Sequence, residues 1–181
     1  MISRTATHSF WKVFFYQIKI FLQWPIYWRC GGRILQFTDD MREMKVKLPL
    51  NRKTKGLMGT HFGGALYAFV DPIPLLMLKQ NLGENYILWD VNGSIQYLKA
   101  TSQDVFAEFK IFPEDLIRIQ EECGQRKKTL FNINIPIQEK NGELIAKVDK
   151  TIYVRRKPMF PKEERLDRFI NRACTKNCRT T

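Results

Sequence analysis

Apolar positions along the 181-residue chain follow two helical rhythms and one alternating rhythm. Between residues 9 and 28, Phe10, Phe14, Ile18, Phe21 and Leu22 recur at helical spacing, and Lys12, Lys19 and Gln23 fall largely on other faces. That pattern predicts an amphipathic helix ending near Pro25. Residues 62–82 are almost uncharged and apolar on every side, which predicts a buried helix stopped by Gly83. Elsewhere apolar and polar residues alternate. Strands are expected at 33–37, 41–48, 86–98, 104–112, 128–138 and 144–154. Lys140-Asn141-Gly142 reads as a hairpin turn between the last two. Pro113-Glu114-Asp115 opens a short helix over 113–122, with proline early and acids in its first turn. Residues 50–60, rich in Asn, Lys, Thr and Gly, form a loop. A buried helix followed by four strands that meander antiparallel predicts an α+β fold. The sheet would wrap a long central apolar helix.

Composition narrows the class. With 44% hydrophobic and 27% charged residues, the chain is neither disordered nor collagen-like. Four cysteines and two histidines argue against a disulfide scaffold or a structural zinc site, and no metal or organic cofactor is expected. Cys174 and Cys178 are followed by no histidine, and reduced thiols in a cytoplasmic protein are the simplest expectation. The net charge of +12 sits at the ends: +5 over residues 1–50 and +6 over residues 155–181. A basic end can meet nucleic acid, anionic lipid or a phosphorylated ligand. The basic end has aromatic residues only at Phe160 and Phe169, so no specific nucleic-acid contact is expected. Lys12, Gln17, Lys19, Gln23 and Pro25 break the 9–28 run too often for a transmembrane helix. That helix is expected to pack on the domain's own sheet. The alternative is a peripheral contact with the inner membrane surface, which Trp11, Trp24 and Trp28 would suit. The chain thus divides into an N-terminal helical segment (1–32), one domain (33–157) and a basic tail (158–181).

The chemistry concentrates in Thr60-His61-Phe62-Gly63-Gly64, which leads into the apolar helix, and in Asp71 within it. Paired glycines at a helix start leave N–H groups unshielded, and with the helix dipole they suit an anion such as a thioester oxyanion. The same glycines also suit close packing, and the two readings stand level on sequence alone. Asp71 is the only acid between residues 44 and 83, and a lone carboxylate in an apolar helix needs a partner or a task. It could instead cap a second helix beginning at Pro72. Gly64 and Asp71, seven residues apart, share a helix face but sit ~10 Å apart along the axis. One Asp71 therefore cannot serve an anion held at its own helix start. A second, antiparallel copy of the helix would bring its Asp71 to the first copy's Gly64, so the site demands a two-fold dimer if the helix runs unbroken.

This segment resembles the hotdog fold, in which an antiparallel sheet wraps a long central helix and sheets continue across a dimer. It is similar to acyl-CoA thioesterases of the phenylacetyl-CoA group, which carry His-Gly-Gly and an Asp seven residues after the second Gly. Gly64 and Asp71 keep that spacing. A nearer likeness is to a hotdog branch labelled as a domain of unknown function and related to tetrameric thioesterases. Its signature appears here as Asn51, Gly59 through Gly64, and Asp71-Pro72, and the Trp89-Asp90 stretch and the strand end from Lys147 to Lys157 also look like it. The chain departs from the thioesterase pattern where Phe62 separates His61 from Gly63 and where Pro72 follows Asp71. His61-Phe62-x-Gly64 is also similar to the motif of hydroxyacyl-carrier-protein dehydratases, without its proline. The resemblance implies hydrolysis of acyl-CoA or acyl-carrier thioesters by a homodimer or a dimer of dimers. Backbone N–H groups at Gly63 and Gly64 would hold the carbonyl, and Asp71 of the partner subunit would activate water. Asn51 or His61 would orient water or thioester, and Lys99, Arg155 and Arg156 are candidates for the CoA phosphates. The alternative is a non-catalytic acyl-chain or lipid-binding module at a membrane surface.

Overall fold

The computed structural model describes residues 25–158 of the chain. The 9–24 part of the expected amphipathic helix, and the basic tail with Cys174 and Cys178, lie outside the described residues. The described chain opens on helix α1 (Pro25–Arg29). Then follow β1 (Arg33–Phe37), β2 (Glu43–Leu48), α2 (Gly63–Ala68), α3 (Ile73–Leu82), β3 (Tyr86–Tyr97), β4 (Val105–Lys110), α4 (Pro113–Arg126), β5 (Lys128–Glu139) and β6 (Leu144–Arg156).

The six strands form one antiparallel sheet in the order β1-β2-β4-β5-β6-β3. The expected four-strand meander holds only for β4, β5 and β6. Strand β3 crosses to the far edge and pairs with β6, from Tyr86↔Arg156 to Tyr97↔Ala146. Alternation along β5 and β6 sets one face inward: Phe131, Ile135 and Ile137 on β5, and Ala146, Val148, Ile152 and Val154 on β6. Helices α2 and α3 supply Leu66, Phe69, Val70, Met77 and Leu78 to the same core. Helix α4 adds Ile119 and Cys123, and its Asp115 carboxylate accepts from the Phe112 N–H at 3.3 Å.

The central helical run is split in two, the second of the two arrangements the sequence left open, although Asp71 is not its cap. Pro72 has no N–H to give the Ala68 carbonyl, and Pro74 repeats the loss two residues on. Carbonyls flanking the break accept from side chains. Phe69 O accepts from the Tyr27 hydroxyl at 3.3 Å, and Asp71 O accepts from Lys150 Nζ. Helical bonding still reaches Asp71, whose N–H donates to Tyr67 O at 3.0 Å. Regular helix ends at Ala68, and Asp71 lies in the turn of residues 69–72 that separates α2 from α3.

Candidate functional site

The start of α2 is held by two neighbours. The His61 N–H donates to Thr101 O at 3.0 Å, and the Phe62 N–H donates to Thr54 O at 2.8 Å. The next two N–H groups, of Gly63 and Gly64, have no acceptor among the described residues. Gly63, though not Gly64, lines a pocket of about 350 Å³ together with His61, Leu66, Tyr97, Lys99 and Thr101, among others. Both glycines also permit close approach. A Cβ on Gly63 would lie 2.9 Å from the Tyr97 hydroxyl, and one on Gly64 would lie 2.5 Å from the Phe62 ring. Packing and anion binding, level in the sequence, thus both find support here.

His61 is buried at the wall of this pocket. Its Nε2–H donates to Gln103 O at 2.9 Å, which leaves Nδ1 as the acceptor nitrogen. Nδ1 is buried without a partner among the described residues. Burial lowers the ring's pKa from its ordinary 6.5, against smaller opposing effects of the Gln103 carbonyl and the Asp104 charge. His61 is therefore neutral at pH 7.

Asp71 stands at the other end of the run, half-exposed, and does not cap α3. The N-cap of that helix is Pro72, with no side-chain bond. Instead Asp71 Oδ1 accepts from Lys150 Nζ at 2.7 Å. Lys150 also meets Asp90 Oδ1 on β3 at 2.9 Å. Tyr67 lies one turn before Asp71. The pKa of Tyr67 is pushed up to about 12, first by burial and then by the Asp71 charge.

The remaining predicted residues separate. Asn51 Oδ1 accepts from the Lys53 N–H at 2.8 Å and shapes a turn, and Asn51 lines a different hollow with Trp28, Arg33 and Lys53. Lys99 lines the His61 pocket, with its ammonium paired to Glu143. Arg155 and Arg156 sit exposed at the far end of β6, ~30 Å of strand from the Tyr97↔Ala146 pair beside Lys99. Lys150, Asp90, Tyr67 and Tyr97 escaped the sequence reading. The signal was present for Lys150, a charged residue at an inward position of β6. Among the described residues no group of His, Cys, Asp and Glu could hold a metal, and no helix is long and apolar enough to cross a membrane.

A half-open sheet around a split central run, with this glycine start, has known relatives. The family model described as domain of unknown function (DUF4442) matches residues 16–154. The chain belongs to the DUF4442 family. Its DUF4442 domain has the hotdog fold of several solved thioesterases. One similar structure is a Pseudomonas aeruginosa protein of unknown function described as a probable thioesterase. It is 15% identical with a TM-score of 0.68, and the match covers 78% of this chain and 95% of that one. A second is a thioesterase variant from the same organism, at 14% identity and TM-score 0.60, covering 78% and 93%. A third is a Haemophilus influenzae thioesterase, at 16% identity and TM-score 0.54, covering 71% and 80%. No curated protein matches the sequence.

Proposed function

We propose that this DUF4442 protein hydrolyses acyl-CoA or acyl-carrier thioesters as a dimer. The observation that carries the reading is the pair of unsatisfied N–H groups at Gly63 and Gly64, with Gly63 lining a pocket of about 350 Å³. A thioester carbonyl seated there would receive donors aimed at the oxygen that becomes negative as water attacks. The base cannot come from the same helix, because Asp71 lies ~10 Å further along the axis. In the reading favoured here, the partner subunit's Asp71 takes a proton from water, water oxygen bonds to the carbonyl carbon, and the C–S bond breaks to release thiol. The unpaired edge of β3, where Trp89 and Val91 are exposed, is the surface on which a second subunit would continue the sheet. Lys99 is the predicted phosphate ligand nearest the pocket.

The test is thiol release from short, medium and long acyl-CoAs, run beside Asp71→Asn. Turnover that is lost in the variant, with fold and dimer intact, is expected. Turnover unaffected by the variant would remove Asp71 from the mechanism, and no turnover on any substrate would remove hydrolysis.

A second reading, a lipid-surface module, draws on one feature. Leu57 and Met58 are exposed at the tip of a loop carrying Arg52, Lys53 and Lys55. Flotation with anionic vesicles tests it, and loss of binding in Leu57→Ser/Met58→Ser is its expected outcome.

A further inference from the structure

Lys150 occupies an inward position of β6 between Val148 and Ile152, and its side chain is wholly buried. A lysine is placed there only at high cost unless it is fully partnered. Lys150 Nζ donates to Asp71 Oδ1 at 2.7 Å and to the Asp71 carbonyl, and it forms an ion pair with Asp90 Oδ1 at 2.9 Å. Two of those acceptors belong to one residue. No backbone N–H among the described residues is bonded to that carbonyl, so Lys150 grips Asp71 by backbone and side chain together.

The surroundings are arranged around that grip. A bulge between Asp90 and Asn92 shifts the register of β3. Before it, Leu88 and Asp90 pair with the inward residues Val154 and Ile152. After it, Gly93 and Ile95 pair with Lys150 and Val148. Asp90 is thereby aimed at Lys150, and Gly93 leaves room for the Tyr67 hydroxyl, which a Cβ there would overlap. The charged or titratable groups facing Asp71 are Tyr67 from α2, Asp90 from β3 and Lys150 from β6. One carboxylate would neutralise one ammonium. The second frees Asp71 from being merely a counter-ion.

We infer that Lys150 is a positioning residue: its buried ammonium, shared with Asp90, holds the Asp71 carboxylate against Tyr67 in the orientation the hydrolytic step requires. The role in hydrolysis rests on the proposed function; the grip itself does not.

Three readouts on the full chain test the inference. In wild type, the Lys150 ammonium protons are expected as a visible, slowly exchanging NMR signal at neutral pH that is lost in Asp71→Asn. No such signal, or one unchanged in that variant, overturns the inference without any change at Lys150. In Lys150→Met, a released Asp71 swings into solvent, and ionisation of Tyr67, followed by tyrosine Cζ shifts, falls from about 12 toward the ordinary 10.0. A value that holds or rises means Asp71 stays on Tyr67 without Lys150, and overturns it. Finally, Lys150→Met should lower kcat about tenfold to a hundredfold with KM little changed. It should lower kcat no further in an Asp71→Asn background. A released Asp71 with unchanged kcat overturns the positioning role. A wild type that releases no thiol fails the hydrolysis reading instead, and the two NMR readouts still decide whether Lys150 holds Asp71.

Discussion

The two ends of the central helical run are built on opposite plans. At the Gly63 end, two backbone donors and the His61 Nδ1 acceptor lack partners among the described residues, and a pocket stands beside them. At the Asp71 end, the buried Lys150 is bonded twice to Asp71 and ion-paired with Asp90, and Tyr67 feels the Asp71 charge. Unsatisfied groups are tolerated in a folded protein chiefly where something else completes them. Saturated groups fix a geometry in advance. In the proposed reaction the first end would be the receptor and the second the prepared reagent. Neither is a complete site, and ~10 Å of helix keeps them apart within one subunit.

The largest effect expected from breaking this contrast is at the reagent end. Asp71→Asn should lower kcat by about 10²–10⁴, the usual contribution of a positioned base, with the circular dichroism spectrum unchanged. At the receptor end, Gly63→Ala places a Cβ 2.9 Å from the Tyr97 hydroxyl and crowds the pocket. It should raise KM by about tenfold while kcat changes less, as for a misplaced rather than a missing group.

The smallest effect sharpens the picture at His61. Its pKa is lowered by burial, so the unfolded chain binds a proton that the folded chain refuses between the lowered value and 6.5. Stability is then full above pH 6.5 and declines as pH falls through that window. His61→Gln should flatten the decline in Tm between pH 7 and pH 5. An equal slope in both proteins would mean that His61 is no more shielded than in the unfolded chain.

Much of this was legible in the sequence because period and punctuation are local. The alternation of β5 and β6 and the turn at Lys140-Asn141-Gly142 placed the strand ends within two residues. The apolar pattern of 62–82 left a continuous helix and a second helix beginning at Pro72 both open, and the chain takes the split form. The position of β3 was not local at all: which strand it pairs with depends on closing the sheet, and its own alternation fits either edge. At the site, Gly63, Gly64 and Asp71 were visible through spacing. Asn51 was grouped with them by motif, yet its side chain serves a turn. Lys150 was legible in principle, as a lysine in the inward register Ala146, Val148, Ile152 and Val154. Its partner Asp90 needed the bulge, which no periodicity announces.

The central claim is that a working site joins the glycine start of one subunit to Asp71 of another. Complementation tests it most directly. Asp71→Asn and Gly63→Val proteins are purified, shown to be inactive alone, then unfolded together and refolded as an equal mixture. Half of the dimers are then mixed, and each mixed dimer holds one intact site, so thiol release should return to about a quarter of the wild-type rate. A mixture that stays inactive, although mixed dimers form, would place both halves of the site in a single subunit and contradict the account.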